Sequence, residues 1–230
     1  MRIKESKALS ADRNPLENKG FPEIRGTHVL IFLILCPALA MGALFQFRPE
    51  AGGGGFLLTL AMLFAAGLVS VVLAVSLLGG AALPALGFRP AGWRPIVFGS
   101  LGTLALSVAV SQLGIQPEGM KQAMNVSREP ALFLAAFAVM AVLAPLVEEL
   151  VFRGLLYGWL ESRWNSRVAF VVSSLVFAVA HYELAHIVLV LPLGLLFGYL
   201  RRRTNSLLPS LVAHVANNTL AVVAAAFLAP

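Results

Sequence analysis

The stretch ALFLAAFAVMAVLAPLVEELVFRGLLYGWL, from Ala131 to Leu160, decides the fold class. It is apolar and long enough to cross a bilayer core, which takes about 20 helical residues. Glu148, Glu149 and Arg153 interrupt it. On insertion scales an acidic residue at the centre of a spanning helix costs roughly 2.5–3.5 kcal/mol. Such residues face a bundle interior or a water-filled cavity and are functional candidates by default. The rest of the chain is of the same kind. Of its 230 residues 59% are hydrophobic and only 12% charged, against about 25% charged in a soluble domain. Mean hydropathy is +0.85. The composition predicts an all-α, polytopic transmembrane helical bundle.

Working outward, seven apolar segments fall at about 28–47, 56–79, 95–115, 131–160, 168–182, 186–200 and 207–229. About seven spans are expected, within a range of six to eight. The fifth and sixth segments are short for a span. Residues 1–26 read as a polar cytoplasmic tail and 27–230 as one membrane domain. Residues 80–94, with Pro84, Gly87, Pro90 and Gly92, read as a loop or a broken helix. The four glycines at 52–55 read as a loop. Ala38-Leu39-Ala40 resembles a signal-cleavage site, but the apolar run continues to Phe47, so this segment reads as a retained span. Cys36 is the sole cysteine, which excludes an intramolecular disulfide.

The net charge of +6 is explained by topology. With the N-terminus in the cytoplasm, the cytoplasmic segments hold Arg89, Arg94, Arg163, Arg167, Arg201, Arg202 and Arg203 besides the tail. The outer loops hold only Arg48, Lys121 and Arg128. That asymmetry follows the positive-inside rule. Short orienting loops are not a nucleic-acid surface, so no nucleic-acid partner is expected. The expected partners are the lipid bilayer and a peptide or membrane-protein substrate. The expected location is integral and multi-pass in a bacterial inner membrane.

Three polar constellations carry chemistry. In EELVFRG (148–154), Glu149 and Arg153 stand at i and i+4 with the acid first, the favourable order for an ion pair. Glu148 lies about 100° around the helix and is not committed to Arg153 in the same way. It is therefore the carboxylate left to act on water, unless the cluster only fixes helix register. Pro145, just before the pair, removes a backbone hydrogen bond and favours a kink. In FAVAH (177–181), Phe177 and His181 share a helix face, and a hydrogen-bonded packing role for this histidine is the alternative. Glu183 and His186 read as loop residues beyond it. In HVANN (214–218), His214 and Asn218 again stand at i and i+4 and can converge on one point, with polar helix packing as the alternative. Gly194 and Gly198 read as a close helix contact without chemistry. At about 1.5 Å per residue, Glu148 lies roughly 18 Å from the cytoplasmic end of its helix, His181 about 20 Å and His214 about 10–12 Å. Three helices thus place polar groups in one layer.

EExxxR, FxxxH and HxxxN on successive membrane segments resemble the CPBP family of intramembrane proteases, which includes the type II CAAX prenyl endopeptidases and bacteriocin-processing proteins. The resemblance covers about residues 131–222, the expected catalytic core. It implies that Glu148 and His181 activate the attacking water, that His214 and Asn218 stabilise the oxyanion, and that Glu149 and Arg153 support the site. The resulting expectation is an intramembrane endopeptidase with glutamate-activated water and no cofactor. Its rival is a zinc protease with Glu148, His181 and His214 as ligands. HExxH is absent from the sequence, and Asn218 is a poor zinc ligand. Two further alternatives are a non-catalytic immunity or scaffold protein and a proton-coupled transporter. A transporter favours inverted repeats, and no clear internal repeat is seen.

Overall fold

The computed structural model describes residues 23–227, and every regular element among them is a helix. Most of the expected tail, residues 1–22, lies outside the described residues. Helices α1 (Gly26–Phe47) and α2 (Gly53–Ser76) pack against each other. A 3₁₀ turn (Gly79–Ala81) and the short α3 (Ala82–Leu86) follow. Then come α4 (Trp93–Ser111), α5 (Glu118–Arg128), the long α6 (Phe133–Arg163), α7 (Ser166–Val179), α8 (Leu184–Thr204) and α9 (Leu208–Phe227). Helix α9 is the hub, packing on α4, α5, α6 and α8.

Six of these helices (α1, α2, α4, α6, α8 and α9) have the length and apolar composition of a membrane span. The chain is an integral, multi-pass membrane protein. Its outer faces fit that solvent: Leu33 and Phe45 on α1 are 60% and 73% exposed. The remaining apolar segment, the fifth, is α7. Its 14 residues reach only about 21 Å at 1.5 Å per residue, short of a hydrocarbon core of about 30 Å. It therefore ends within the depth of the bundle, and that end carries His181.

Four expectations are corrected. The glycines at 52–55 are not all loop, because α2 begins at Gly53 with Gly52 just before it at φ 111°. The outer segment holding Lys121 and Arg128 is not a loop but α5. A lysine and an arginine on an 11-residue helix with buried Val126 and Ser127 make it a surface helix pressed on the bundle. The sixth segment is not short, since α8 spans 21 residues, from Leu184 to Thr204. Arg201 is not a solvated loop charge, because it is 2% exposed. It donates from Nε to the Arg153 carbonyl at 3.0 Å and from Nη1 to Asn205 Oδ1 at 3.1 Å. Its guanidinium also lies 4.7 Å from the centre of the Tyr157 ring.

Helix α6 is the element that makes the site. It is not a uniform α-helix. Residues 137–143 and 150–156 follow the wider i→i+5 hydrogen-bond pattern, and Ala144–Glu149 between them is α-helical. Pro145 stands at the start of that middle stretch. The irregularity expected from Pro145 thus takes the form of two π-helical turns flanking the glutamates. Such turns recur at functional sites. They shift the faces on which side chains emerge.

Candidate active site

Glu149 and Arg153 form the expected ion pair. Arg153 Nη1 lies 3.1 Å from Glu149 Oε1, and both side chains are 0% exposed. A buried guanidinium needs more than one partner. Arg153 Nη2 donates to the Gly194 carbonyl at 2.9 Å, and its carbon lies 4.2 Å from the centre of the Phe177 ring. Ser174 Oγ donates to the same Gly194 carbonyl at 3.0 Å. Gly194 is therefore part of the support for the ion pair, and the expectation that it carries no chemistry is corrected. A Cβ there would fall 2.7 Å from Phe177 Cδ1.

His214 stands between the two glutamates. Its Nδ1 is 3.2 Å from Glu149 Oε1, and its Nε2 is 3.6 Å from Glu148 Oε2. The side chain is 5% exposed, while that of Glu148 is 19% exposed. Of the two carboxylates only Glu148 is accessible. The imidazole is stacked on Phe197, with centroids 4.5 Å apart, and meets Phe177 edge-on at 5.8 Å. These rings hold its plane so that one nitrogen faces each carboxylate. The α6 glutamates and the α9 histidine are thus brought together as one cluster.

His181 reaches the cluster through Phe177. The two rings lie 5.1 Å apart, and Phe177 also touches His214. His181 Nδ1 lies 3.0 Å from the Phe177 carbonyl. A carbonyl only accepts, so this nitrogen carries the proton and Nε2 keeps its lone pair. Among the described residues His181 forms no ion pair with either glutamate. His186 is not a loop residue, as expected from sequence, but lies in the first turn of α8. Its ring meets that of His181 at 4.6 Å. Glu183 precedes α8 in an extended conformation, and its carboxylate accepts the Glu118 N–H at 3.1–3.2 Å.

Asn218 sits one turn beyond His214 on α9 and donates from Nδ2 to the Met140 carbonyl at 3.0 Å. It therefore also faces α6. Asn217 Nδ2 donates to Asn218 Oδ1 at 3.2 Å.

Sequence reading missed Gly194, Phe197, Arg201 and Asn217 as parts of this assembly. A signal for three of them exists. Gly194, Phe197 and Arg201 are spaced i, i+3, i+7 and so share one face of α8. Ser174 and Phe177 on α7 and His181 in the turn just after it repeat that spacing.

The residues named for a zinc alternative were tested against the geometry. Among the described residues no three His, Cys, Asp or Glu side chains stand where they could jointly hold a metal ion. Glu148, His181 and His214 are therefore not arranged as a ready three-ligand zinc site among the described residues.

Comparisons with known proteins bear on the same region. Residues 130–220 match the family described as Rce1-like, type II CAAX prenyl endopeptidase. A stretch of 85 residues is 32% identical to the protein named "Putative membrane peptidase YdiL" of Bacillus subtilis (strain 168), covering 37% of this chain and 35% of that protein. The chain thus spans about a third of the curated relative it matches. No solved structure matches. The CPBP-type resemblance carried by EExxxR, FxxxH and HxxxN is borne out over residues 130–220, the segment that builds the polar cluster.

Proposed function

We propose that the chain is an intramembrane endopeptidase that cleaves a peptide bond with water activated by Glu148. One observation carries the reading. Of two adjacent glutamates, Glu149 is fully buried and tied to Arg153 and His214, while Glu148 keeps access to solvent at 19% exposure. The match of residues 130–220 to the Rce1-like family and the 85-residue similarity to a protein named as a membrane peptidase support the same reading.

A water is held between Glu148 and Nε2 of His181, whose lone pair is free because Nδ1 donates to Phe177. Glu148 takes a proton from this water, and its oxygen attacks the scissile carbonyl carbon. The carbonyl oxygen becomes an oxyanion. Asn218 has a second N–H beyond the one given to Met140, and His214 presents its Nε2 edge toward Glu148. These two groups stabilise the oxyanion, a role worth a few kcal/mol in related chemistry (roughly 10²–10³-fold in rate). Collapse breaks the C–N bond, and the proton held by Glu148 passes to the leaving amine. Glu149 and Arg153 do not touch the substrate but fix His214. No cofactor takes part. The substrate is a membrane-associated peptide, prenylated or of leader type. The N-terminus faces the cytoplasm, in accord with the arginine distribution, and the membrane is a bacterial inner membrane.

The test uses the purified full chain in detergent with internally quenched peptides, one farnesylated at a CAAX-type cysteine and a set of unmodified leader peptides. Cleavage by the wild type and none by Glu148→Gln is expected. A wild type that cleaves none of them, or a Glu148→Gln variant with wild-type turnover, overturns the proposal.

A further inference from the structure

The Met140 carbonyl needs a partner because of the helix that carries it. In this part of α6 bonds run five residues back, as Ala144 N–H to Val139 O shows. The next N–H in that ladder would come from residue 145 and would serve Met140. Residue 145 is proline and has no N–H. The Met140 carbonyl is thereby released from the helix, and Asn218 Nδ2 takes it at 3.0 Å.

That one carbonyl fixes the orientation of two amides. It accepts only, so Asn218 must turn Nδ2 toward it. Asn218 Oδ1 must then face the other way, toward Asn217. An oxygen requires a donor, so Asn217 must present Nδ2, as it does at 3.2 Å. Asn217 Oδ1 is left buried without a hydrogen-bond partner. A buried orphan acceptor is unusual and calls for a reason. Flipping the Asn217 amide would not help, because it would set two oxygens face to face.

We infer that Asn217 is a positioning residue for the proposed cleavage, locking the Asn218 amide so that its remaining N–H points at the oxyanion. The chain of constraint runs Pro145, Met140 carbonyl, Asn218, Asn217. This rests on the oxyanion role proposed for Asn218. Without the Asn217 donor, the Asn218 amide can rotate about its last side-chain bond and lose its aim.

The test is a kinetic double-mutant cycle on the full chain, with whichever of the quenched peptides above the wild type cleaves. Asn217→Leu keeps the volume and removes the donor; Asn217→Asp keeps the shape and replaces the donor by an oxygen. Both should lower kcat, by up to about 10²-fold for a misaimed group, with KM near the wild-type value. In an Asn218→Ala background, itself slower by roughly 10²–10³-fold, Asn217→Leu should have no further effect. Unchanged kcat for both variants overturns the inference, as does an equal loss in both backgrounds. Failure of both variants to fold assigns Asn217 a structural role and also overturns it. If Asn218→Ala itself turns over at the wild-type rate, the oxyanion reading falls and the inference falls with it. If Asn218→Ala is slow and the Asn217 variants are not, only the inference falls.

Discussion

Truncating Arg153 to alanine tests whether the buried ion pair is structural. The side chain is 0% exposed and meets Glu149, the Gly194 carbonyl and the Phe177 ring. After truncation the Gly194 carbonyl still accepts from Ser174 at 3.0 Å, so little is lost there. The Phe177 cation–π contact is worth about 2 kcal/mol when desolvated, less than the loss at Glu149. The main loss is at Glu149, a fully buried carboxylate that would keep the His214 ring but lose its guanidinium partner. Breaking a buried pair from one side costs about 3–5 kcal/mol. For a chain of this size each kcal/mol lowers the melting temperature by roughly 2–4 °C. Arg153→Ala should therefore melt roughly 6–20 °C below the wild type in the same detergent. Adding Glu149→Gln removes the stranded charge, so the double variant should recover most of the loss while remaining inactive. The assay is tryptophan-fluorescence melting with folded yield from size-exclusion chromatography. An Arg153→Ala melting point at the wild-type value refutes the reasoning. So does a double variant less stable than Arg153→Ala, which would mean that volume and not charge dominates.

Three further outcomes are expected. Glu148→Gln should abolish cleavage but leave melting and peptide binding near wild type, because the amide keeps the shape and loses only the proton acceptor; strong destabilisation would recast Glu148 as structural. A chelator should change neither turnover nor melting, and inactivation reversed by added zinc, with about one zinc per chain by metal analysis, would replace the glutamate mechanism by the zinc one. Gly194→Ala places a Cβ 2.7 Å from Phe177 Cδ1, so thermal melting should show overpacking of about 1–3 kcal/mol; no shift would mean that Phe177 is free to move.

Helix type and most helix positions were legible because lipid demands long apolar helices, and composition reports that directly. The Glu149–Arg153 pair was legible because i,i+4 geometry is local to one helix. What remained hidden depends on contacts between helices. Arg201 follows α8's apolar run and reads as a topogenic charge, yet the adjoining Tyr157 ring and Arg153 carbonyl draw it inward. Gly194 has no side chain to announce a role, and its role lies in its carbonyl. His214 was read as an oxyanion donor beside Asn218, but its place between two carboxylates needs the packing of α9 on α6. The surface helix α5 was missed because an 11-residue polar segment between spans looks like a loop.

The polar residues of this region share one physical task. In hydrocarbon an unpaired backbone carbonyl costs several kcal/mol, so irregular backbone survives only where something replaces the missing bond. His181 serves the Phe177 carbonyl where α7 ends short. Arg153 and Ser174 serve Gly194, Arg201 serves Arg153, and Asn218 serves Met140 beside Pro145. His181, Arg201 and Asn218 thus serve carbonyls where a helix ends or turns irregular, while Arg153 and Ser174 add to the Gly194 carbonyl within the continuous α8. The backbone thus fixes the chemical groups, and the groups permit the backbone to be irregular. Without Asn218 the turn at Pro145 would leave the Met140 carbonyl an orphan inside the bundle. Fold and site in residues 130–220 are therefore tied together through these side-chain-to-carbonyl bonds. That is a physical reason for the polar positions to occur together in order along the chain.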